Sequence, residues 1–220
     1  MKKCKSYYIP KEDKSYKIYF SKFDHYQEAQ RNRALAQVNK WNLAIDIGAN
    51  IGLWSRDLTT FFDKTICFEP NSNCIKYLKK NIVNEKAIIY NYALGSKNED
   101  KELFISINSG ASSFINHVTI GYNSDCSKIY DKWPQGTKKQ LVKVKILDEF
   151  NFNEIDFIKI DVQGYEYEVL KGAKKTLEIN SPIICLEEEY PENSRTIKFL
   201  ESLNYEIVDV ALKEHIFKKK

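Results

Sequence analysis

The residues with the most specific chemistry lie between Asp46 and Gly52, in the sequence Asp-Ile-Gly-Ala-Asn-Ile-Gly. The mainly apolar run 43–47 is typical of a strand that is buried on both faces, and the glycines after it permit a tight turn and a close approach to a ligand. A helix expected near 53–62 would direct its N-terminal amides at the same place. This arrangement predicts a site for a cofactor that carries a nucleoside.

An acidic residue, Glu69, follows the next apolar run, about 20 positions after Gly48. A carboxylate at this spacing accepts hydrogen bonds from ribose hydroxyls, in NAD sites as well as in sites for S-adenosylmethionine (SAM). SAM is favoured because Ala49-Asn50 replaces the middle glycine of a dinucleotide fingerprint, and because Asp46 can hold the ammonium group of SAM. The alternative is that Asp46 and Asn50 only cap and brace the turn.

A second acidic motif occupies residues 156–166, where an apolar strand leads into Asp161 and Gly164. In an open parallel sheet the ligand lies beyond the carboxyl ends of the strands, at the point where the strand order reverses. We therefore expect four carboxylates to converge at one edge of the sheet: Asp46, Glu69, Asp161 and Glu187.

The elements that must position these side chains alternate between strands and helices from residue 43 onwards. Strands are predicted near 43–47, 65–69, 87–91, 156–161, 183–187 and 205–210. Helices are predicted near 53–62, 72–83, 166–179 and 192–203. The alternation predicts an α/β fold with a mainly parallel sheet and right-handed crossovers, closed by two antiparallel strands within 207–217.

The domain organisation predicted from this pattern has two parts. Residues 1–40 form an N-terminal capping segment with a helix near 24–40, and residues 41–220 form the cofactor-binding domain. An insertion at about 104–141 interrupts the alternation, flanked by an extended pair near 101–107 and 141–147. Long polar insertions in compact domains are usually functional or disordered.

Length and cysteine content place the chain among ordinary globular proteins. A chain of 220 residues can bury on the order of 70% of its unfolded surface without a disulfide or metal. Its five cysteines are odd in number and lack C-x-x-C spacing, which indicates reduced thiols. With no apolar leader and no stretch as long as a membrane span, we expect a cytoplasmic protein without a membrane partner.

The charge pattern disfavours nucleic acid as a partner. The net charge of +4 comes from scattered lysines, whereas phosphate recognition usually uses arginine for its planar, bidentate fork. Arginine occurs at only four positions: Arg31, Arg33, Arg56 and Arg195.

Six segments together resemble the FkbM family of SAM-dependent methyltransferases. They are residues 46–52, 68–70, 91–95, 109–113, 158–173 and 182–187. The resemblance implies a Rossmann-like class I methyltransferase fold, with helices on both faces of a mainly parallel seven-stranded sheet that has an antiparallel C-terminal edge. It also implies methyl transfer to a hydroxyl of a small molecule, usually a sugar or another natural product.

Roles for individual residues follow from the resemblance. The methionine part of SAM would contact Gly48, Asn50 and Gly52, and the ribose would contact Glu69 with help from Asn71. The adenine would lie beside Asn91 and Ala93, and Asp161 would stand beside the transferred methyl group. The loop with Ser109, Ser112 and Ser113 would line the acceptor cleft. His117 lies in the same insertion and is a candidate substrate residue, although a single loop histidine is more often simply exposed.

The predicted proton acceptor for methyl transfer is Asp161, with Glu187 as the second choice. The alternative is that Asp161 only accepts hydrogen bonds from backbone amides or Lys159. Gln163 departs from the family, which commonly has Glu there, so any role of that carboxylate as base or metal ligand is in doubt. A divalent cation held by Asp161 and the carboxylates of 187–189 is conceivable, but no metal ligand is predicted, because such a run is more often a solvated strand end.

The sequence thus predicts a SAM-dependent O-methyltransferase that releases S-adenosylhomocysteine (SAH) and acts on a small hydroxylated acceptor, a sugar or glycoconjugate being favoured. RNA or protein methylation is the alternative within the same class, and RNA stays open because methyltransferases of this fold also act on RNA. An NAD-dependent oxidoreductase and a SAM-binding module without catalysis are the alternatives from other classes. Oligomeric state is not predicted.

Overall fold

The computed structural model describes residues 2–82, 84–106, 109–114, 138–188 and 191–220. Its N-terminal segment begins with an antiparallel pair, β1 (Lys2–Cys4) and β2 (Tyr7–Ile9), followed by α1 (Lys14–Lys22) and α2 (Glu28–Leu35). Asp13 begins α1, because its carboxylate accepts hydrogen bonds from the amides of Ser15 and Tyr16. Sequence analysis had predicted only one helix here, at 24–40, and the observed α2 is shorter.

From residue 43 the chain alternates between strands and helices as predicted. The strands are β3 (Leu43–Ile47), β4 (Lys64–Phe68), β5 (Ala87–Tyr90), β6 (Ala93–Leu94), β7 (Glu99–Ile105), β8 (Lys138–Lys145), β9 (Ile155–Ile160), β10 (Ile183–Glu187), β11 (Tyr205–Ala211) and β12 (Glu214–Lys219). The helices are α3 (Leu53–Phe61), α4 (Ser72–Asn81), α5 (Glu166–Lys171), α6 (Lys174–Asn180) and α7 (Arg195–Ser202).

The main sheet has seven strands among the described residues, in the order β11-β12-β10-β9-β3-β4-β5. Pairing is parallel from β10 through β9, β3 and β4 to β5, and antiparallel where β12 joins β10 and β11. The predicted fold class, a mainly parallel seven-stranded sheet with an antiparallel C-terminal edge, is confirmed. The chain leaves β3 for β4 on one side and returns to β9 on the other, so the strand order reverses between β3 and β9.

Helices cover both faces of this sheet, which explains why its strands are apolar on both sides. Successive side chains of a strand point to opposite faces, so Ala44 and Ile45 enter different parts of the core. One face packs on α5, α6 and α7 through Ile45, Ile158, Ile184, Leu170, Leu177 and Leu200. The other face packs on α2, α3 and α4 through residues that include Ala44, Phe157, Cys185, Leu58, Cys67 and Leu78.

The helix predicted at 166–179 is divided into α5 and α6 at Gly172 and Ala173. A Cβ on Gly172 would lie 2.0 Å from the carbonyl oxygen of Gly95, so the backbone passes too close for a side chain. The Asp148 carboxylate accepts hydrogen bonds from the amides of Lys175 (3.0 Å) and Thr176 (2.8 Å) and so caps the start of α6. Both causes come from distant parts of the chain.

The extended pair that flanks the insertion is present as β7 and β8, which pair antiparallel and form a small sheet with β6. Residues 107–108 and 115–137 of the insertion lie outside the described residues, and so does the candidate His117. No helix in the described ranges is long and apolar enough to cross a membrane. The cytoplasmic location stays a prediction.

Candidate active site

A cavity of about 290 Å³ lies at the carboxyl ends of β3, β4, β9 and β10. The reversal of strand order between β3 and β9 produces it, because the connections from these two strands leave in opposite directions. All four predicted carboxylates line it, namely Asp46, Glu69, Asp161 and Glu187. The convergence expected from the sequence is therefore present.

The turn after β3 brings the two central strand ends together. Gly48 has φ +82°, and a Cβ there would lie only 1.9 Å from the carbonyl oxygen of Asp161. The amides of Gly48 and Ala49 both donate to the carbonyl oxygen of Phe68, at 3.0 Å. Gly52, with φ +83°, begins α3, and a Cβ there would lie 2.6 Å from Cδ1 of Leu78. Gly52 is thus required for the packing of α3 on α4, and its contact with the cofactor stays a prediction.

Glu69 is 6% exposed and is held by two backbone amides. Its Oε2 accepts a hydrogen bond from Asn50 N (2.7 Å), and its Oε1 accepts one from Asn71 N (2.7 Å). Burial raises the pKa of Glu69 to about 7, although these two bonds act in the opposite direction. A carboxylate oxygen can accept more than one hydrogen bond, so both oxygens can still receive a ribose hydroxyl.

Two buried acceptor atoms beside the cavity have no hydrogen-bond partner within the described residues. They are Oδ1 of Asp46 and Oδ1 of Asn50. The other oxygen of Asp46 accepts from the Ser55 hydroxyl on α3, and the Asn50 amide donates to the Tyr16 hydroxyl at 2.8 Å. Asp46 therefore braces α3 and still offers one oxygen. Leaving a buried acceptor unpaired costs about 1–3 kcal/mol, which a ligand that donates hydrogen bonds would offset.

The two asparagines predicted near the ribose and adenine organise the loop after β4. Asn71 caps α4, since its Oδ1 accepts a hydrogen bond from Asn73 N at 3.0 Å. Asn91 Nδ2 donates to the carbonyl oxygens of Glu69 (2.8 Å) and Pro70 (3.0 Å). Ala93 lines the cavity directly. Direct contact of these residues with a cofactor stays a prediction.

The second motif places a charged network at the end of β9. Lys159 Nζ lies 3.1 Å from Oδ2 of Asp161, with 5% of the lysine side chain and 26% of the aspartate side chain exposed. Gln163 Nε2 donates to Oδ1 of Asp161 (2.7 Å) and to Oε2 of Glu187 (2.9 Å). The contact between Lys159 and Asp161 is present, as expected if Asp161 has only the alternative, structural role.

The two carboxyl groups of this network differ in their affinity for a proton. For Asp161, burial acts to raise the pKa, but the Lys159 ammonium and the hydrogen bonds from Glu187 and Gln163 outweigh it, so the pKa is lowered. For Glu187, the negative charge of Asp161 is the largest influence and burial the next, and they raise the pKa to about 8. At neutral pH Asp161 is therefore ionised and Glu187 mostly protonated.

The three predicted substrate serines that the structure describes differ in placement. Ser112 lines the cavity and accepts a hydrogen bond from Ser106 N at 3.1 Å. Ser113 is buried and donates through its hydroxyl to the carbonyl oxygen of Gln163 at 2.7 Å. Ser109 begins a short 3-10 turn, Ser109–Ala111, whose Gly110 also lines the cavity.

Sequence reasoning missed the N-terminal contribution to the cavity. Tyr16, Tyr26 and Gln27 line it, and Gln27 is fixed there because it accepts from the Trp54 indole and donates to Glu214 Oε1 at 3.0 Å. These residues are distant in sequence from the motifs, so no local signal marks them. Lys159 does have a local signal in the sequence, because a lysine inside an apolar strand that is buried on both faces needs a partner of opposite charge.

The sequence left open a divalent cation between Asp161 and the carboxylates of 187–189. Across the part of the chain that the structure describes, no group of three His, Cys, Asp or Glu side chains is arranged to hold a metal ion. Glu188 instead accepts a hydrogen bond from Ser194. Glu189 lies outside the described residues.

Comparison with known proteins decides the family. The family model described as the methyltransferase FkbM domain matches residues 46–207, which include all the predicted cofactor residues. The chain belongs to the FkbM methyltransferase family. The resemblance recognised in six sequence segments is thereby confirmed. No curated protein matches this FkbM-family chain significantly.

Solved structures with a similar fold include methyltransferase FkbM from Methylobacillus flagellatus KT, with 14% identity and a TM-score of 0.54. The match covers 83% of this chain but only 45% of that protein, so the FkbM-family chain described here spans less than half of its length. A precorrin 8w decarboxylase from Methanobacterium thermoautotrophicum has 11% identity and a TM-score of 0.51, covering 88% of this chain and 90% of that one.

An rRNA methylase from Streptococcus thermophilus is similar to the same degree, with 8% identity, a TM-score of 0.51 and coverage of 87% and 94%. Identities this low establish a shared fold and nothing about the acceptor. The fold therefore agrees with a class I methyltransferase, and the acceptor must be inferred from the cavity itself.

Proposed function

We propose that this chain is a SAM-dependent O-methyltransferase whose acceptor is a small, uncharged hydroxylated molecule such as a sugar or glycoconjugate. The observation that carries the proposal is the unpartnered Oδ1 of Asp46, buried beside a cavity that Glu69 and Asp161 also line. A carboxylate oxygen in this position can bind a cationic group of a ligand, and the amino group of SAM is such a group.

The residues around the cavity fit SAM better than NAD. The free oxygens of Asp46 and Asn50 can accept hydrogen bonds from the amino-acid part of SAM, and the Glu69 carboxylate can accept the ribose hydroxyls. The pyrophosphate of NAD would instead approach the carboxylate of Asp46 at a turn that lacks the middle glycine. Like charges so close to each other in a buried site are strongly unfavourable.

When bound, SAM supplies a methyl group that its sulfonium already activates. The work left to the chain is to orient the acceptor hydroxyl and to remove its proton. Alignment of the reacting groups can lower the activation free energy by roughly 7–11 kcal/mol. In this proposal Asp161, kept ionised by Lys159, accepts the hydroxyl proton, and Glu187 is mostly protonated and therefore a poorer base.

The charge of the cavity wall supports an uncharged acceptor. Four carboxyl groups line the cavity, from Asp46, Glu69, Asp161 and Glu187, whereas Lys159 is the basic residue among the lining side chains. A phosphorylated or RNA acceptor would meet the ionised Asp161, and no arginine is present among the described lining residues to bind its phosphates. The rings of Tyr16, Tyr26 and Trp54 line the same cavity and can stack on the apolar face of a sugar.

The test is transfer of a labelled methyl group from SAM to a panel of neutral sugars and glycoconjugates, with RNA and protein fractions alongside. Wild-type protein and Asp161→Asn are compared, each with and without magnesium. We expect labelled O-methyl sugar from the wild type and a loss of at least 100-fold in turnover in Asp161→Asn, with SAM affinity retained. Labelling of RNA or protein but no sugar would refute the acceptor class, and binding of NAD but not SAM would refute the cofactor.

A module that binds SAM without catalysing transfer would behave differently in the same experiment. It would bind SAM and SAH by calorimetry, leave all acceptors unlabelled, and show no difference between wild type and Asp161→Asn. That result would contradict the proposed enzymatic activity while leaving the cofactor assignment intact.

A further inference from the structure

The side-chain amide of Gln163 lies between the two carboxyl groups at the sheet edge. A single nitrogen, Nε2, donates to Asp161 at 2.7 Å and to Glu187 at 2.9 Å. An amide NH₂ carries two hydrogens, so it can serve both carboxyl groups at once. A glutamate of the same shape has no such pair of donors and would add a third acidic group.

The loop that carries Gln163 is built to hold this side chain in place. Gln163 has φ +56°, a left-handed conformation that costs a non-glycine residue roughly 1–3 kcal/mol and persists only where the surroundings enforce it. The Glu166 carboxylate accepts hydrogen bonds from the amides of Val162 and Gly164, both at 3.1 Å, on either side of Gln163. Ser113 donates to the Gln163 carbonyl oxygen.

The charges around the pair are unevenly distributed. Asp161 accepts hydrogen bonds from the Lys159 ammonium and from the Gln163 amide, so its ionised form is favoured. Glu187, at the end of β10, faces the negative charge of Asp161 and, from β12, that of Glu214. Two adjacent carboxyl groups in such surroundings hold one proton between them.

Other titratable groups face the pair from the remaining elements. Asp46 on β3 lies within electrostatic reach of Lys159 and Asp161, Cys185 lies on β10, and Tyr26 approaches from the N-terminal segment. Burial raises the pKa of both the Cys185 thiol and the Tyr26 hydroxyl, so both are neutral at pH 7. Burial and, to a smaller extent, the negative charge of Asp161 raise the pKa of Asp46.

We propose that Gln163 is a positioning residue that holds Asp161 and Glu187 as a pair sharing one proton, with Asp161 ionised and Glu187 neutral. The pair is a property of the folded chain alone, whereas its use to keep Asp161 ready as the base rests on the proposed function. In this arrangement the acceptor hydroxyl passes its proton to Asp161, and the neutral Glu187 adds no second negative charge beside it.

The first test uses the wild-type protein without any ligand. Carboxyl carbons labelled with ¹³C are titrated by NMR between pH 3 and pH 10, and the signals are assigned by their loss in Asp161→Asn and Glu187→Gln. We expect Asp161 to titrate below its ordinary range and Glu187 near pH 8. Two ordinary titrations near pH 4 would overturn the proposal.

The second test compares Gln163→Met, which removes the donor, and Gln163→Glu, which replaces it with a third carboxyl group. Gln37→Glu, the same chemical change outside the cavity wall, is the matched control. In both Gln163 variants we expect the acidic limb of the kcat/KM profile to move up by about one pH unit, because Asp161 loses a donor. SAM affinity should stay within about threefold of wild type, with kcat reduced about tenfold.

Unchanged pH profiles in both Gln163 variants would show that Gln163 only fills space and would overturn the proposal. If the variants fail to fold, the wild-type titration decides alone. Failure of the proposed function looks different, because wild type itself would then transfer no methyl group while the shared proton was still seen by NMR.

Discussion

Among the side chains at the cavity, Asp46 shows most clearly how a structural role can coexist with the proposed binding of a ligand. Asp46 is 1% exposed, and its carboxylate accepts a hydrogen bond from Ser55 and has one oxygen without a partner in the described part of the chain. Burial raises its pKa. An ionised group in this position destabilises the ligand-free protein, and the proposed contact with the amino group of SAM would offset that cost.

Replacing Asp46 by Asn should therefore separate stability from function. We expect the free energy of unfolding at pH 8 to stay within about 1 kcal/mol of wild type or to rise, since a neutral amide is cheaper to bury than an unpaired carboxylate. SAM affinity should fall at least tenfold, about 1.4 kcal/mol, by calorimetry. Asp63→Asn, at an exposed position, is the control. Unchanged SAM affinity would mean that Asp46 only braces α3.

Glu69 should make cofactor binding depend on pH. Its pKa is raised to about 7, chiefly by burial, so that below pH 7 one oxygen carries a proton and no longer accepts freely. We expect SAM affinity to fall up to about tenfold between pH 8 and pH 6. In Glu69→Gln, affinity should be low throughout, with a smaller pH dependence.

The control for this measurement is Glu85→Gln, at an exposed site away from the cavity. It should reproduce the wild-type pH dependence. Equal pH dependence in wild type and Glu69→Gln would contradict the role assigned to Glu69 and leave Glu187 as the responsible group.

At the scale of the elements, the junction of β3 and β9 is the feature that builds the site. The amide of Asp161 donates to the carbonyl oxygen of Ile47 at 3.0 Å, which continues the ladder one residue beyond the end of β9 and places Gly48 against Asp161. Gly48 is needed for this approach as well as for its φ of +82°. The sequence motif thus serves packing between strand ends in addition to any contact with a ligand.

Gly48→Ala should consequently be severe even in the absence of ligand. The added Cβ would meet backbone at 1.9 Å in a conformation unfavourable for alanine, so we expect a loss of about 3 kcal/mol or more in unfolding free energy, measured with urea. Gly110→Ala is the matched control, because its Cβ would lie 3.4 Å from the nearest atom, Asn50 Nδ2. Similar stabilities for the two variants would show that the strand ends separate easily.

At the scale of the whole molecule, acidic groups from several elements are gathered into one buried region. Burial contributes to raising the pKa of Asp46, Glu69, Glu166, Glu187 and Glu214. A carboxyl group with a raised pKa binds its proton more tightly in the folded state than in the unfolded state. Its contribution to stability is complete below the unfolded pKa and is lost as the pH rises through the folded pKa.

The ligand-free protein should therefore lose stability between about pH 4.5 and pH 8. The pKa of Glu69 rises from 4.5 to about 7, which corresponds to a loss on the order of 3 kcal/mol across that window. Urea unfolding at pH 5.5 and 8.5 measures the effect, and Glu69→Gln should reduce it. A stability that rises over this window would contradict the raised pKa values of these buried carboxyl groups.

The fold was largely readable from the sequence, because its signals are local. Apolar runs such as 43–47 and 183–187 mark strands covered on both faces, and their alternation with helices dictates a parallel sheet. Helix boundaries that depend on contacts with residues distant in sequence could not be predicted. The break between α5 and α6 arises where Gly172 meets Gly95 and Asp148 caps α6, and neither partner is adjacent in sequence.

By itself the sequence determined the glycine turn after β3, the acidic strand ends and the family, because each depends on residue types at fixed short spacings. Only the tertiary structure decided which of these groups interact. The Gln163 amide joins Asp161 to Glu187, and Tyr26 and Gln27 enter the cavity wall from the N-terminal segment. Except for the Gln163–Asp161 contact, these contacts join residues more than 20 positions apart. They follow from how strands and helices pack, which no short spacing records.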